Sequence, residues 1–172
     1  RSSDLPLHQV QFTSPRWLGT FEATAGCYHR CVWEGACTEP RWAPEGPVDP
    51  HAYLGLERDY WIRPSNADLP IVDLTRAGAA EYCAWLGGRL LTDVEWEKAA
   101  RGESGRAWPW QADPPHPTRP GDPIEARTEL CQHMHAFPDS GQAPNCPGTA
   151  AFVVRVTAFP EGVGPYGHLN LM

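Results

Sequence analysis

At 172 residues the chain is long enough for one ordinary domain with a real core and short for two. A formal net charge of -7, with Lys and Arg scattered along the sequence, gives no basic footprint for nucleic acid, and no apolar run approaches the roughly 20 residues of a bilayer span. Charged residues make up only 20%, against 19 prolines, 16 glycines and eight tryptophans, a balance that argues for a loop-rich globular domain and against disorder, because large rings need a core to bury them.

In chain order, QVQF at 9–12 alternates with the period of a half-buried strand. The Thr24 hydroxyl is placed to cap a short helix through AGCYHRCVWEG, with Tyr28, Cys31 and Val32 on one face and Gly35 as its stop. From Thr38 to Pro70 the prolines at 40, 44, 47, 50, 64 and 70 interrupt any regular pattern, and a surface excursion is expected. PIVDLT at 70–75 returns to the core, and Thr75 opens a second helix through RAGAAEYCAWL, with Ala80, Cys83 and Ala84 as the expected buried stripe and Gly87 and Gly88 as the end. A third helix begins at the T-x-x-E capping box of Thr92 and Glu95, buries Trp96, Ala99 and Ala100, and stops at Gly102. Asp93 and Glu95 near its start and Lys98 and Arg101 near its end suit the helix dipole. Beyond WPW the text is Pro-rich, and FVVRVTAF at 152–159 reads as the clearest strand, with Phe152, Val154 and Val156 on one face.

Few side chains along this path point to chemistry. Cys131 and Cys146 bracket 14 residues, and a disulfide closing that loop would stabilise the fold by roughly 3 kcal/mol in the simple entropic model. Cys83 reads as a small core residue and Cys27 as a half-exposed free thiol. Cys131, His133 and His135 have the two-residue spacing that would align metal ligands on an extended piece, but no fourth ligand is identifiable, and the alternative is a loop that holds two histidines. Glu95 is engaged as a cap and Glu97 belongs to a solvated helix face, so neither is offered as an acid or base. Trp108 and Trp110 either stack a ligand or anchor a loop.

Taken together, FEATAGCYHRCVWEGAC, then LPIVDLTRAGAAEYCAWLGGRLLTDVEWEKAARG followed by RAWPW, and finally VTAFPEGVGPYGHLNLM resemble the formylglycine-generating-enzyme family, also called the sulfatase-modifying-factor family, across almost the whole chain. The specific part is a pair of helices joined by G-[GK]-R-L-x-T-x-x-E-W-E and then P-W, matched here by Arg89, Leu90, Thr92, Glu95, Trp96, Glu97 and Trp110. The resemblance implies an α+β architecture of C-type-lectin-like fold, with low regular secondary structure, two or three short helices on a small antiparallel sheet, and long loops. Leu91 stands where the family usually has Pro, and Gln111 where it usually has Gly.

In the family the final segment runs on into a G-N-V-W-E-W motif and a redox cysteine pair that binds copper(I). The sequence stops at Met172, so residues 1–172 are expected to be a single, incomplete domain with no catalytic residue of their own. Copper or calcium is the cofactor the resemblance admits, with ligands outside this chain. The resemblance also implies a Cys31–Cys37 disulfide, since bacterial members often carry that pair, and five intervening residues permit one if a turn brings the Cα atoms within about 7 Å. A copper-binding thiolate pair at these positions has the wrong order along the chain. With both disulfides formed, an extracytoplasmic location is expected.

Three readings follow. The chain is a non-catalytic binding or scaffold module whose partner is a protein, a peptide or the remaining C-terminal part of the domain. Alternatively it is part of a copper-dependent oxidoreductase that converts a sulfatase cysteine to formylglycine, or part of a related non-heme iron enzyme of the sulfoxide-synthase type. The first is preferred, because a fold can be inherited without its site.

Overall fold

The computed structural model describes residues 10–40, 59–106, 108–110, 132–133 and 153–170. Three α-helices lie wholly within them: α1 (Ala25–Trp33), α2 (Arg76–Trp85) and α3 (Asp93–Arg101), with short 3-10 turns at Tyr60–Ile62 and Pro64–Asn66 between α1 and α2 and at Pro160–Gly162 after α3. None is long and apolar enough to cross a membrane.

Each helix starts where a threonine side chain replaces the missing intrahelical acceptor. Thr24 accepts from the Cys27 N–H at 3.2 Å, Thr75 from Gly78 at 3.1 Å, and Thr92 from Glu95 at 3.4 Å. Gly35 and Gly102, with φ of +74° and +65°, follow the ends of α1 and α3 as expected from their sequence positions.

The core gathers around α1. Tyr28 and Cys31 are fully buried, and Cys31 is joined to Cys37 with the Cα atoms 5.3 Å apart, which folds the chain after α1 back over its last turn. Cys131 and Cys146 lie outside the described residues. Tyr28 stacks on Tyr82 of α2 with ring centroids 5.7 Å apart, and its hydroxyl donates to the Thr38 carbonyl at 2.9 Å. At the C-terminal ends of the two helices, Trp85 Nε1 donates to Glu34 Oε2 at 2.9 Å.

The packing departs from the expected stripes in three places. On α2, Ala80 and Ala84 are exposed and Cys83 is half-buried, because Gly78, Tyr82 and Trp85 carry the contact with α1. Two aromatic rings reach across the interface where an alanine cannot. On α3, Trp96 is 46% exposed while Glu95, Ala99 and Ala100 are buried. The Pro-rich excursion is also not confined to the surface: Tyr60 and Trp61 enter the core, where Trp61 meets His29 edge-on and the Tyr60 hydroxyl donates to the Pro70 carbonyl at 2.8 Å. Burial pushes the Tyr60 phenol up to about 12.

The described residues contain no strand. Residues 10–12 are irregular with Val10 exposed, and 153–159 run as turns in which Val156 alone is buried. Val156 N–H donates to the Asp68 carbonyl at 3.2 Å, and Ala158 N–H turns back to Arg155 at 2.9 Å, so the alternating pattern serves isolated anchoring contacts and no ladder. The nearest equivalent of a sheet is an isolated antiparallel bridge between Thr24 and Pro70, extended by Ala25 N–H to Leu69 and Ile71 N–H to Ala23, both at 2.8 Å. It ties the entry of α1 to the segment that leads into α2.

Gly78 marks the closest approach of α2 to α1, since a Cβ there would lie 2.9 Å from the Tyr28 hydroxyl oxygen. Tyr28 is held by its stack and its hydrogen bond, so Gly78→Ala is expected to destabilise the protein by about 1–3 kcal/mol in urea unfolding, although alanine is the better helix former. Replacing Cys31 and Cys37 together by serine is expected to cost about 2 kcal/mol in the same measurement, and wild-type protein kept in reductant should show the same shift.

Candidate functional site

The capping box of α3 is the centre of a larger charged arrangement. In the sequence RLLTDVEWE the Glu95 side chain turns back to the helix start, where its Oε2 accepts from Thr92 N–H at 2.9 Å and from the Thr92 hydroxyl at 3.1 Å. Arg89, directly after the α2–α3 glycine turn, meets the same carboxylate with two parallel bonds, Nη1 to Oε2 at 2.7 Å and Nη2 to Oε1 at 2.6 Å. Arg16 approaches from the other side, Nε to Oε1 at 3.3 Å. The Glu95 side chain is only 7% exposed, whereas Arg89 and Arg16 remain 56% and 54% exposed. The Arg89 guanidinium, followed by the Thr92 backbone, holds the Glu95 carboxyl well below the usual carboxylate range.

Of the residues matched to the central motif, the structure brings Arg89, Thr92 and Glu95 into this one arrangement, with Arg89 also donating to the Leu90 carbonyl at 2.9 Å. Trp96 and Glu97 stand apart on the exposed side of α3, where Glu97 pairs with Arg101 at 2.6 Å. Trp110 is elsewhere. It stacks on Trp108, at 5.2 Å between centroids, and on His133, at 5.1 Å with the rings nearly parallel. His133 is helical, not extended, and its Nδ1 lies 2.8 Å from the Glu161 carbonyl. The Gly162 backbone that follows presses on His133, leaving no room for a Cβ. His133 is thus engaged in a ring stack and a turn contact; Cys131 and His135 lie outside the described residues.

Beside Glu95 a cleft of about 300 Å³ opens between residues 12–18 and α3. Phe12, Leu18 and Leu91 form apolar walls, and Trp17, 99% exposed, stands at the rim. Lys98 reaches it from α3, paired with Glu103 at 3.3 Å, and Tyr166 lines the cleft with it. Leu91, the departure from the family pattern noted above, therefore contributes a side chain to the cleft wall. Sequence reading found the Glu95 cap but not its two arginines or the cleft. Arg16 is 79 positions away and carries no local signal, while Arg89 lies within a legible motif whose pairing only the turn geometry reveals.

The residues described do not fit a copper site. The family's copper(I) site is built on thiolate sulfur, which this soft ion favours, and Cys31 and Cys37 are bonded to each other, which leaves among the described residues Cys27, exposed, and Cys83, whose thiol is pushed up by burial. Among the described residues no three His, Cys, Asp or Glu side chains gather as a metal site would require.

Residues 1–143 match the family model described as sulfatase-modifying factor enzyme 1-like domain, and the chain belongs to that family. Membership implies a C-type-lectin-like fold. The chain is 27% identical over 177 residues to hercynine oxygenase of Mycolicibacterium smegmatis, an alignment covering 96% of this chain and 36% of that protein. It is 39% identical over 67 residues to inactive C-alpha-formylglycine-generating enzyme 2 of Bos taurus, covering 34% of this chain and 22% of that protein. With formylglycine-generating enzyme of Streptomyces coelicolor the identity is 34% over 67 residues, covering 34% and 21%. The chain thus spans between about a fifth and about a third of the length of these relatives. No solved structure gives a significant match.

Because the folded-state carboxyl of Glu95 is depressed, its contribution to stability is fully present above the ordinary glutamate value near 4.5 and is lost as pH falls below that value. Chemical denaturation at pH 7 is expected to show a clear loss for Glu95→Gln and almost none for Glu97→Gln. Between pH 5 and pH 2 the wild type should lose stability more steeply than Glu95→Gln, which lacks the titrating group.

Proposed function

We propose that this chain is a non-catalytic binding module of the formylglycine-generating-enzyme type, in which the central motif is framework and a ligand or partner is held by the surfaces it supports. The observation that carries this reading is the engagement of Glu95, the buried carboxylate of the motif: its oxygens face Arg89, Arg16 and Thr92, an arrangement that keeps it ionised and fixed. A group so committed is suited to hold α3 against the preceding turn and not to exchange a proton. Similarity to a relative named as an inactive formylglycine-generating enzyme supports the same reading. The small antiparallel sheet of the C-type-lectin-like fold is part of this proposal, resting on family likeness alone.

A second reading makes the chain part of an oxidoreductase, and it draws on the alignment of 96% of the chain with hercynine oxygenase and on the shorter match to formylglycine-generating enzyme. In that case the reacting groups belong to other parts of the protein, and these residues position them.

The two readings separate in the full-length protein. Supplied with copper and oxygen, it is expected to leave a C-x-P-x-R peptide without an aldehyde by mass spectrometry, and supplied with iron and hercynine it is expected to consume no oxygen above background. Aldehyde formation or hercynine-dependent oxygen uptake would replace the binding-module reading by the second.

A further inference from the structure

Building on the binding-module reading, we propose that the cleft between residues 12–18 and α3 takes a small organic carboxylate with an aromatic or branched apolar body. Its volume of about 300 Å³ is at the lower end of the range for small-molecule sites. Phe12, Leu18 and Leu91 offer walls that a hydrocarbon body would dry. Trp17 sits at the rim with 99% of its surface in water, so an aromatic or apolar group entering the cleft gives the indole a face to cover.

The choice of an anion follows from the charges. Glu95 carries one negative charge and is already matched by the bidentate Arg89, which makes Arg16 the surplus cation. Its guanidinium is half-exposed, lines the cleft, and meets Glu95 through Nε at 3.3 Å. The second cation, Lys98, is balanced by Glu103, but that carboxylate is 86% exposed and held at a long 3.3 Å, a weak pair that a ligand can compete with. Glu103 itself, Ser14, Tyr166 and His168 complete the polar lining, so two cations and two carboxylates face the cleft and Arg89, behind Glu95, tips the local balance to positive. In a chain of net charge -7 this surplus of positive charge is local, and it favours negative ligands. A planar guanidinium fork suits a carboxylate, and the apolar walls require more than an inorganic ion.

Isothermal titration calorimetry with 3-phenylpropionate, 3-phenylpropylamine and acetate tests the assignment on the full chain. The expected result is saturable binding of 3-phenylpropionate at least about tenfold tighter than either of the others, weakened at least about tenfold by Arg16→Gln. Trp17→Ser should also weaken binding several-fold with an unchanged unfolding midpoint, since the indole buries nothing in the fold; this variant decides the matter even if Arg16→Gln destabilises the protein. No measurable binding of 3-phenylpropionate, equal binding of the amine, or unchanged affinity in Trp17→Ser would overturn the proposal. That failure is distinct from failure of the binding-module reading, which the aldehyde and oxygen-uptake assays decide whatever the calorimeter records.

Discussion

A carboxylate removed from water is stable only where the surroundings replace its hydration, and at Glu95 that requirement draws two distant parts of the chain, the 89–95 segment and Arg16, to one point. Thr92 supplies the helix start, Arg89 the turn after α2, and Arg16 the N-terminal loop. Removing Arg89 would leave the carboxylate without its bidentate partner in a poorly solvated place, which costs far more than the pair gains when complete. The orientation of α3, the path of the turn before it and the floor of the neighbouring cleft all depend on this arrangement.

A second constraint acts on the other two helices. Tyr28 is fully buried yet carries a hydroxyl, so the ring must lie where that oxygen finds the Thr38 carbonyl. The Cys31–Cys37 disulfide keeps the segment bearing that carbonyl close to α1, and Glu81 on α2 holds the same segment by accepting from Thr38 N–H and hydroxyl at 2.8 and 2.9 Å. With so few regular elements among the described residues, side-chain bonds to loop backbone hold these segments where a ladder is absent. The C-terminal described segment follows the same rule: Asn170 donates to Glu22 and to the Val156 carbonyl, and Leu169 N–H donates to Thr20.

This economy bears on function. When the strongest motif in a sequence is committed to holding loops, specificity passes to the side chains those loops present. Leu91 illustrates the point, for it sits inside the motif at a position where the family usually has proline, and its side chain lines the cleft beside the fixed carboxylate. The framework is what the chain shares with enzymes and with a relative named as inactive, so family membership alone does not decide between catalysis and binding.

The three helices were legible from the sequence because their determinants are local: Thr24, Thr75 and Thr92 cap them, and glycines follow them, within a turn or two of chain. The capping role of Glu95 was legible for the same reason. The burial of Tyr60 and Trp61 in a proline-rich stretch was not, nor the outward turn of Trp96, because burial depends on which partner occupies the facing surface. The alternation at 153–159 was equally misleading; its period matches a strand, but a strand exists only where another pairs with it, and Val156 makes isolated bonds to the Asp68 carbonyl and the Asn170 side chain. Sequence by itself therefore determined where helices begin and end and which family motif the chain carries. Tertiary structure decided which faces are buried, which arginines meet Glu95 and where a cleft opens, since those outcomes rest on contacts between residues as far apart as Arg16 and Glu95.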